Sequence, residues 1–305
     1  MALLNEKLES LRAKIESVEQ KQIFFLSGMS KSGTTWVERI FDAHPEVVCK
    51  GEAHFGILLE PAIRRAVSTY NARIPKKGNW SRHGREHTDS LPPSSFTYNN
   101  EDLDYLLAEA AKLMLAKWVK SDNIKCVGDK TPNNLAYLAL LDRIFPGARF
   151  VYIIRDVRDV IVSGWFFNLA LDSKGTIGQF ADIKKFSSHM ARVWAEDVSR
   201  AKAYGRLLNG RYCETYFEKL WHHPEYEVER LFDFIQVSKT KAIIDDCLRL
   251  TDFSILSKGR VRGTENRSSF YRKGVIGDWK NHLDQEIIDQ INVHCGPLLK
   301  ELGYD

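Results

Sequence analysis

The sequence has no uninterrupted apolar run near the roughly 18 residues that a membrane span needs. Its N-terminus, MALLNEKLESLRAKIESVEQ, is charged throughout, unlike a secretory leader. Cysteine is sparse: Cys49, Cys126, Cys213, Cys247 and Cys295 are an odd set with no CxxC pair. That argues against a disulfide framework or a zinc site and suits a reducing compartment. Excess charge is also small: 44 Lys+Arg against 40 Asp+Glu leave a net +4, too little to argue for nucleic acid. There is no internal repeat and no low-complexity segment. These absences predict a cytoplasmic protein with no membrane span and no nucleic-acid partner. What is present is ordinary for a globular chain: 305 residues, 44% hydrophobic and 28% charged, enough to bury a substantial core.

Periodicity divides the chain. Leu4, Leu8, Leu11, Ile15 and Val18 recur at helical spacing, which predicts a helix over 2–20. It reads as a peripheral helix packing one stripe on the domain, or as a coiled-coil contact lasting under three heptads. Gln22–Leu26 predicts a buried strand that ends in the turn Ser27-Gly28. From Thr34 the pattern is helical and stops before His44-Pro45. Val47 and Val48 suggest a second strand, left by a loop over Gly51–Phe55. Residues 71–100, with Pro75, Gly78, Gly84, Pro92 and Pro93, form a long polar excursion of the kind that serves as a lid or is mobile. Helices follow over 101–120, Asn133–Ile144, Val160–Phe167, 184–208 and 224–236, and strands over Lys125–Val127, Arg149–Ile154 and Arg211–Thr215. Strand then helix predicts an α/β fold: a single domain over 22–305 with a central parallel sheet flanked by helices, after an N-terminal helix at 1–21.

Three segments carry chemistry. Between the first strand and its helix lies Ser27-Gly28-Met29-Ser30-Lys31-Ser32-Gly33-Thr34-Thr35-Trp36. Such a turn aims backbone N–H groups and a helix N-terminus at one point, which suits an anion. Gly33 permits close approach, Lys31 adds a charge, and Ser32, Thr34 and Thr35 add hydroxyl donors. This is not GxxxxGK[ST], because Lys31 precedes Gly33. The bland reading is a helix-capping turn; the lysine and the strand-to-helix context favour anion binding. The second segment, Arg155-Asp156-Val157-Arg158-Asp159, follows the strongest strand, and ligands of open parallel sheets sit beyond such strand ends. A guanidinium forks onto phosphate, and Ser163 lies about two helical turns on. The alternative is that both arginines pair with Asp156 and Asp159 as surface charge. The third is Phe270–Lys280, FYRKGVIGDWK, whose adjacent cations and two glycines suit a loop folding over an anion.

In this order the three segments resemble the PAPS-dependent sulfotransferases (PAPS is 3′-phosphoadenosine-5′-phosphosulfate). Lys31–Trp36, KSGTTW, is similar to the family's 5′-phosphosulfate loop, which implies nucleotide contacts from Lys31, Ser32, Gly33, Thr34, Thr35 and Trp36. Arg155 and Ser163 resemble its 3′-phosphate clamp. Arg272–His282, RKGVIGDWKNH, resembles the closing loop of the cytosolic members and implies contacts from Arg272, Lys273 and Gly274. Thr251 and Phe253 resemble a T-x-F element flanking the adenine, with Trp36 across the base. The resemblance runs from about Gln22 to the C-terminal ELGY and is weakest over 60–120. It implies a fold related to the P-loop nucleotide kinases. It also implies in-line transfer of a sulfuryl group from PAPS to a hydroxyl or amine, release of adenosine 3′,5′-bisphosphate, and no metal. The sequence itself offers no metal-ligand spacing. Lys31 would meet the bridging oxygen and Lys130 the transferring group.

The base departs from the cytosolic pattern. Those members carry a histidine two residues after the lysine matched to Lys130, where this chain has Pro132. The branch that includes the tyrosylprotein enzymes uses a glutamate in a GE element, matched here by Gly51-Glu52. The resemblance therefore implies Glu52 as base, with His54 as runner-up because histidine ionises nearer neutral pH. The bland reading of Glu52 is a partner for Lys50 or an arginine. Phe217 stands where the family has a tyrosine, and the cytosolic dimer motif is lost at Lys280…Asp284-Gln285…Asp289, leaving the oligomeric state open. Residues 55–100 and 165–190, including Tyr70, Trp80, His83, His87, Phe166, Phe167 and Phe180, are expected to line the acceptor pocket. A small alcohol, phenol, glycan or lipid-like acceptor all fit. Two other readings are a kinase-like phosphotransferase, which needs a magnesium-binding Ser/Thr after the loop lysine, and a non-catalytic nucleotide-binding module. The presence of Lys31, Lys130 and a candidate base argues against the second.

Overall fold

The computed structural model describes residues 2–73, 97–171, 180 and 182–304. Trp80, His83 and His87 lie outside the described residues, as does most of the 71–100 excursion. Five strands, β1 (Gln22–Ser27), β2 (Val47–Lys50), β3 (Cys126–Lys130), β4 (Arg149–Ile154) and β5 (Tyr212–Tyr216), form one sheet in the order β2-β3-β1-β4-β5. Every pairing is parallel. β1 is central and covered on both faces, so five consecutive residues, Ile23–Ser27, are buried and the run is apolar rather than alternating. Phe24 and Leu26 enter the core on one face with Val37, Ile40 and Phe41. Phe25 enters the other with Phe55, Phe145 and Phe150, its ring stacked on Phe150 at 5.6 Å. The expected single α/β architecture is the one observed.

Helices connect the strands: α1 (Ala2–Glu19) before β1, α2 (Thr34–Asp42) after it, then α3 (Glu60–Arg73), α4 (Asn100–Ala116) and α5 (Leu138–Ile144). α6 (Val157–Leu171) and α7 (Ile183–Leu207) follow β4. α8 (Phe217–His222), α9 (Pro224–Ile235), α10 (Lys241–Leu250), α11 (Phe253–Leu256) and α12 (Gln285–Glu301) complete the chain. Among the described residues, no helix is long and apolar enough to cross a membrane. All five cysteines are buried and free.

Three expectations need correction. The strand read as Lys125–Val127 runs to Lys130. Gly128-Asp129-Lys130 has little strand propensity, and it is held extended by pairing with β1, Phe25 opposite Asp129 and Leu26 opposite Lys130. The helix read over Asn133–Ile144 begins as a 3₁₀ turn, Pro132–Tyr137, before α5. The stripe of α1 does not pack along its length: Val18 is buried against the Leu107 and Ala111 face of α4, while Leu4, Leu8 and Leu11 are exposed.

Removing Phe25, wholly buried at the centre of one face, leaves a cavity. Phe25→Ala is expected to cost about 3–5 kcal/mol in urea denaturation. Leu4→Ala should cost under about 0.5 kcal/mol; a larger loss would mean that the α1 stripe is covered in solution.

Candidate active site

The five strand ends lie on one edge, and each leads to a residue singled out in the sequence. Along the sheet order, β2 leads to Glu52, β3 ends on Lys130, β1 leads to Lys31, β4 to Arg155 and β5 to Phe217. The β1–α2 turn is bent by two left-handed residues, Lys31 (φ 73) and Gly33 (φ 100). Gly33 is required twice over, since a Cβ there would also lie 2.7 Å from the Phe217 ring. The Lys31 ammonium sits 3.8 Å from the Phe167 ring centre and 4.2 Å from that of Phe270. Burial, with Arg155 and Arg272 nearby, pushes its pKa down to about 8.

Arg155 leaves β4 and joins two elements. Its Nη1 donates to the Lys31 carbonyl (3.1 Å) and its Nη2 to the Val275 carbonyl (3.0 Å), with the guanidinium 4.1 Å over Phe217. Arg158 turns away, paired with Asp156 at 2.8 Å and stacked on Trp279 at 4.2 Å. Both arginines do pair with the two aspartates, as the alternative reading had it, but the pairs are buried rather than surface charge, and Arg155 also bonds the two carbonyls. Asp159 lies 3.7 Å from Arg155 and accepts the Gly277 (2.7 Å) and Trp279 (3.0 Å) N–H groups, fastening the 272–279 segment to α6. In that segment Arg272 donates to Glu265 and Asp278, and Lys273 to Asp278 (2.5 Å). Gly274 is left-handed (φ 68), and a Cβ would collide with Phe253.

Every nucleotide-site residue expected from the sequence except Ser32 lines one cleft: Lys31, Gly33, Thr34, Thr35, Trp36, Arg155, Ser163, Thr251, Phe253, Arg272, Lys273 and Gly274. Ser32 is buried and does not line it. Thr251 spends its hydroxyl on the Cys247 carbonyl at 2.7 Å, closing the end of α10. Phe217, noted in the sequence only as a departure from the family's tyrosine, lines the cleft too, and Arg262 is added by the structure, at 5.3 Å over Trp36. No periodicity marks Arg262, which lies in an irregular segment. Phe217 was discoverable as the residue after a strand end. Among the described residues, the cleft wall holds five cations, Lys31, Arg155, Arg262, Arg272 and Lys273, and no carboxylate.

Beside the cleft, at the ends of β2 and β3, stands a second group. Lys130 Nζ donates to Glu52 at 2.9 Å and lies 3.4 Å from Glu38, while His54 is 3.5 Å from Glu52. Lys50 pairs with Asp42 instead, so the bland reading of Glu52 as its partner is not what forms. Buried Asp129 accepts the Ala53 N–H (2.9 Å) and so holds the Glu52 segment in place. A Cβ on Gly51 would come within 2.6 Å of the Lys130 carbonyl. Burial alone would lower the Lys130 pKa, but Glu52 and Glu38 outweigh it and the net shift is upward. Burial raises that of Glu38. Glu38 escaped the sequence reading, although helical spacing from Thr34, Val37 and Phe41 puts it on the buried stripe of α2. Burial raises the pKa of Tyr271 on the cleft wall, with Arg39 opposing.

Of the expected acceptor aromatics, Phe167 reaches the site by covering Lys31. Phe166 supports Arg272 from behind at 5.0 Å, while Phe180 packs on Phe186 and Tyr70 on Tyr98. Sequence spacing showed no metal ligands, but folding brings ligand atoms of Glu265, Asp278 and His282 within 4.8 Å of one another. Arg272 and Lys273 already engage both carboxylates, which accounts for their convergence.

The profile of the Sulfotransferase family matches residues 23–241. The chain belongs to the sulfotransferase family. This sulfotransferase is 25% identical to protein-tyrosine sulfotransferase 2 of Gallus gallus, across 99% of this chain and 75% of the relative. It is 22% identical to a putative protein-tyrosine sulfotransferase of Caenorhabditis briggsae, across 93% and 90%. In fold it is similar to mouse sulfotransferase SULT7A1, solved complexed with PAP, with a TM-score of 0.55, 15% identity and coverage of 95% and 93%. It also matches retinol dehydratase, solved in a complex with retinol and PAP, with a TM-score of 0.51, 17% identity and coverage of 95% and 86%.

Asp159→Ala would strand two backbone donors and remove a buried counter-ion of Arg155, at an expected cost of about 3–5 kcal/mol. Amide exchange should accelerate at Gly277 and Trp279 before the β1 core opens. Unchanged protection at those two amides would show that the segment is held by other contacts.

Proposed function

We propose that this protein moves a sulfuryl group from PAPS to an acceptor hydroxyl or amine and releases adenosine 3′,5′-bisphosphate. One observation carries the reading. Lys31 Nζ, Ser32 Oγ, Arg155 Nε and Arg272 Nε are buried donors without a hydrogen-bond partner, and Lys31, Arg155 and Arg272 line a cleft walled by five cations and no described carboxylate. Buried donors left unmatched are costly and point to an anionic ligand. The two fold neighbours named above were solved with PAP, which supports the same ligand class here.

Lys31, Ser32, Thr34, Thr35 and the N-terminus of α2 would hold the 5′ end of the nucleotide. Arg155, Ser163, Arg272, Lys273 and Gly274 would hold the 3′-phosphate, and Trp36, Thr251 and Phe253 the base. When bound, PAPS supplies a sulfuryl group on a phosphate leaving group. Glu52 is the base that would take the acceptor proton, and Lys130, 2.9 Å from it, would support the transferring group. His54, on the same segment, is the alternate base. The acceptor is a hydroxyl-bearing small molecule or lipid-like or glycan alcohol, or a tyrosyl side chain, the target named for the relatives. The five free buried cysteines suit a reducing, cytoplasmic setting. A kinase-like phosphotransferase is disfavoured by the lysine preceding Gly33.

Radiolabelled PAPS with an acceptor panel tests the reaction; Mg-ATP turnover in its place would sink it. Glu52→Gln should lower kcat about 10²–10⁴-fold and leave adenosine 3′,5′-bisphosphate affinity within about twofold. If Glu52→Gln keeps full rate and His54→Ala loses it, His54 is the base.

Lys31 gives a pH prediction. Its folded pKa of about 8 lies below the ordinary 10.5, and a bound anion favours the charged form. Bisphosphate affinity should therefore fall as pH rises through about 8, and Lys31→Met should bind weakly without that dependence. Between the two values the unfolded chain holds a proton that the folded chain lacks, so this group adds stability as pH rises. Calorimetric titration from pH 7 to 9.5 reads the affinity; a flat wild-type profile would remove Lys31 from the phosphate contacts.

A further inference from the structure

We infer that Glu38 is a positioning residue of the transfer site, the fixed counter-ion that keeps Lys130 charged and in place when Glu52 takes the acceptor proton. The inference rests on the proposed transfer reaction. Glu38 sits on the buried stripe of α2, where Val37, Ile40 and Phe41 are apolar. A carboxylate in such a position is costly unless it is paired. Among the described residues its ion pair is with Lys130, at 3.4 Å, and both side chains are over nine-tenths buried.

The two carboxylates on Lys130 differ in access. The Glu52 side chain is 35% exposed and that of Glu38 is 9%. Only Glu52 is open to an incoming acceptor. Once Glu52 holds the acceptor proton it is neutral, and a buried ammonium facing it alone would lose its counter-charge. The third nearby carboxylate, Asp129, is committed to the Ala53 N–H and to Thr131 and Asn134. Glu38 remains. The groups around it are Lys130 and Asp129 on β3, Cys49 on β2, Tyr271 beside the cleft, and Arg39 and Asp42 on its own helix. Arg39, on the exposed side of the same helix, also favours the charged form of Glu38, but less than Lys130 does, and among the described residues the ion pair at Glu38 is with Lys130.

Glu38→Gln keeps the volume and removes the charge. Lysine ε-carbon NMR should show the Lys130 titration falling by about 1–3 units. The alkaline limb of kcat should move to lower pH with it, and kcat near neutrality should drop about tenfold, less than for loss of a donor on the reacting atoms. Bisphosphate affinity should stay within about twofold. Glu38→Asp, which keeps the charge at a longer reach, should shift both profiles less, and it serves the same measurement should the Gln variant not fold. An unmoved Lys130 titration overturns the inference, as does a rate loss matched by lost bisphosphate affinity. Absence of sulfuryl transfer by the wild-type protein would instead count against the function reading, because the NMR titration needs no acceptor.

Discussion

Parallel strands end on a common edge, and in this fold that edge concentrates charge which would otherwise be dispersed. Lys31, Lys130 and Arg155 are separated by up to 124 positions in sequence, yet they emerge from three adjacent strands, β3, β1 and β4. The register sets their heights. Leu26 pairs with Lys130 and with Val151, so β3 and β1 end within a residue of each other while β4 runs on to Ile154 before Arg155. Without β1 in the centre, buried on both faces, neither the cleft nor the Glu52 group has a floor.

Gathering cations this way is unfavourable by itself, and the structure compensates from behind the cleft. Burial alone would raise the Asp278 carboxyl, but bonds from Lys273, Arg272 and Asn281 hold it well below the usual carboxylate range. Asp159 stands behind Arg155 and binds the same closing segment through two backbone N–H groups. Glu218 accepts the Asp156 N–H and the Tyr304 hydroxyl at 2.7 Å, which brings the C-terminus to the same corner. The carboxylates are thus kept off the cleft wall yet close enough to balance it. Lys31 has no such partner and rests beside two aromatic rings; burial, then the neighbouring Arg155 and Arg272, push its pKa down to about 8.

Legibility in the sequence followed the strength of local signals. RFVYII predicts β4 to the residue, because five of its six residues favour β structure. The strand Cys126–Lys130 was read short, because Gly-Asp-Lys adopts an extended form here only through its neighbour's pairing. KSGTTW, Arg155 with Ser163, and RKG stand out in the sequence because such residue types act through short-range geometry, and apart from Ser32 they line one cleft. Arg262 was not, since an irregular segment has no periodicity to place it. Phe217 was seen only as a departure from a motif, and the structure shows its ring filling the space left by Gly33.

By itself, then, the sequence determined the α/β alternation, the strand-to-helix turn with its lysine, and the residue types that line the cationic cleft. These depend on neighbours within a few positions. Only the tertiary structure decided which groups meet. Glu52 is joined to Lys130 across 78 positions, Glu38 is buried beside the same ammonium, and Asp159 fastens a loop some 120 residues away. Such pairs are set by strand register and by the cost of leaving a buried charge alone, and neither has a local signature.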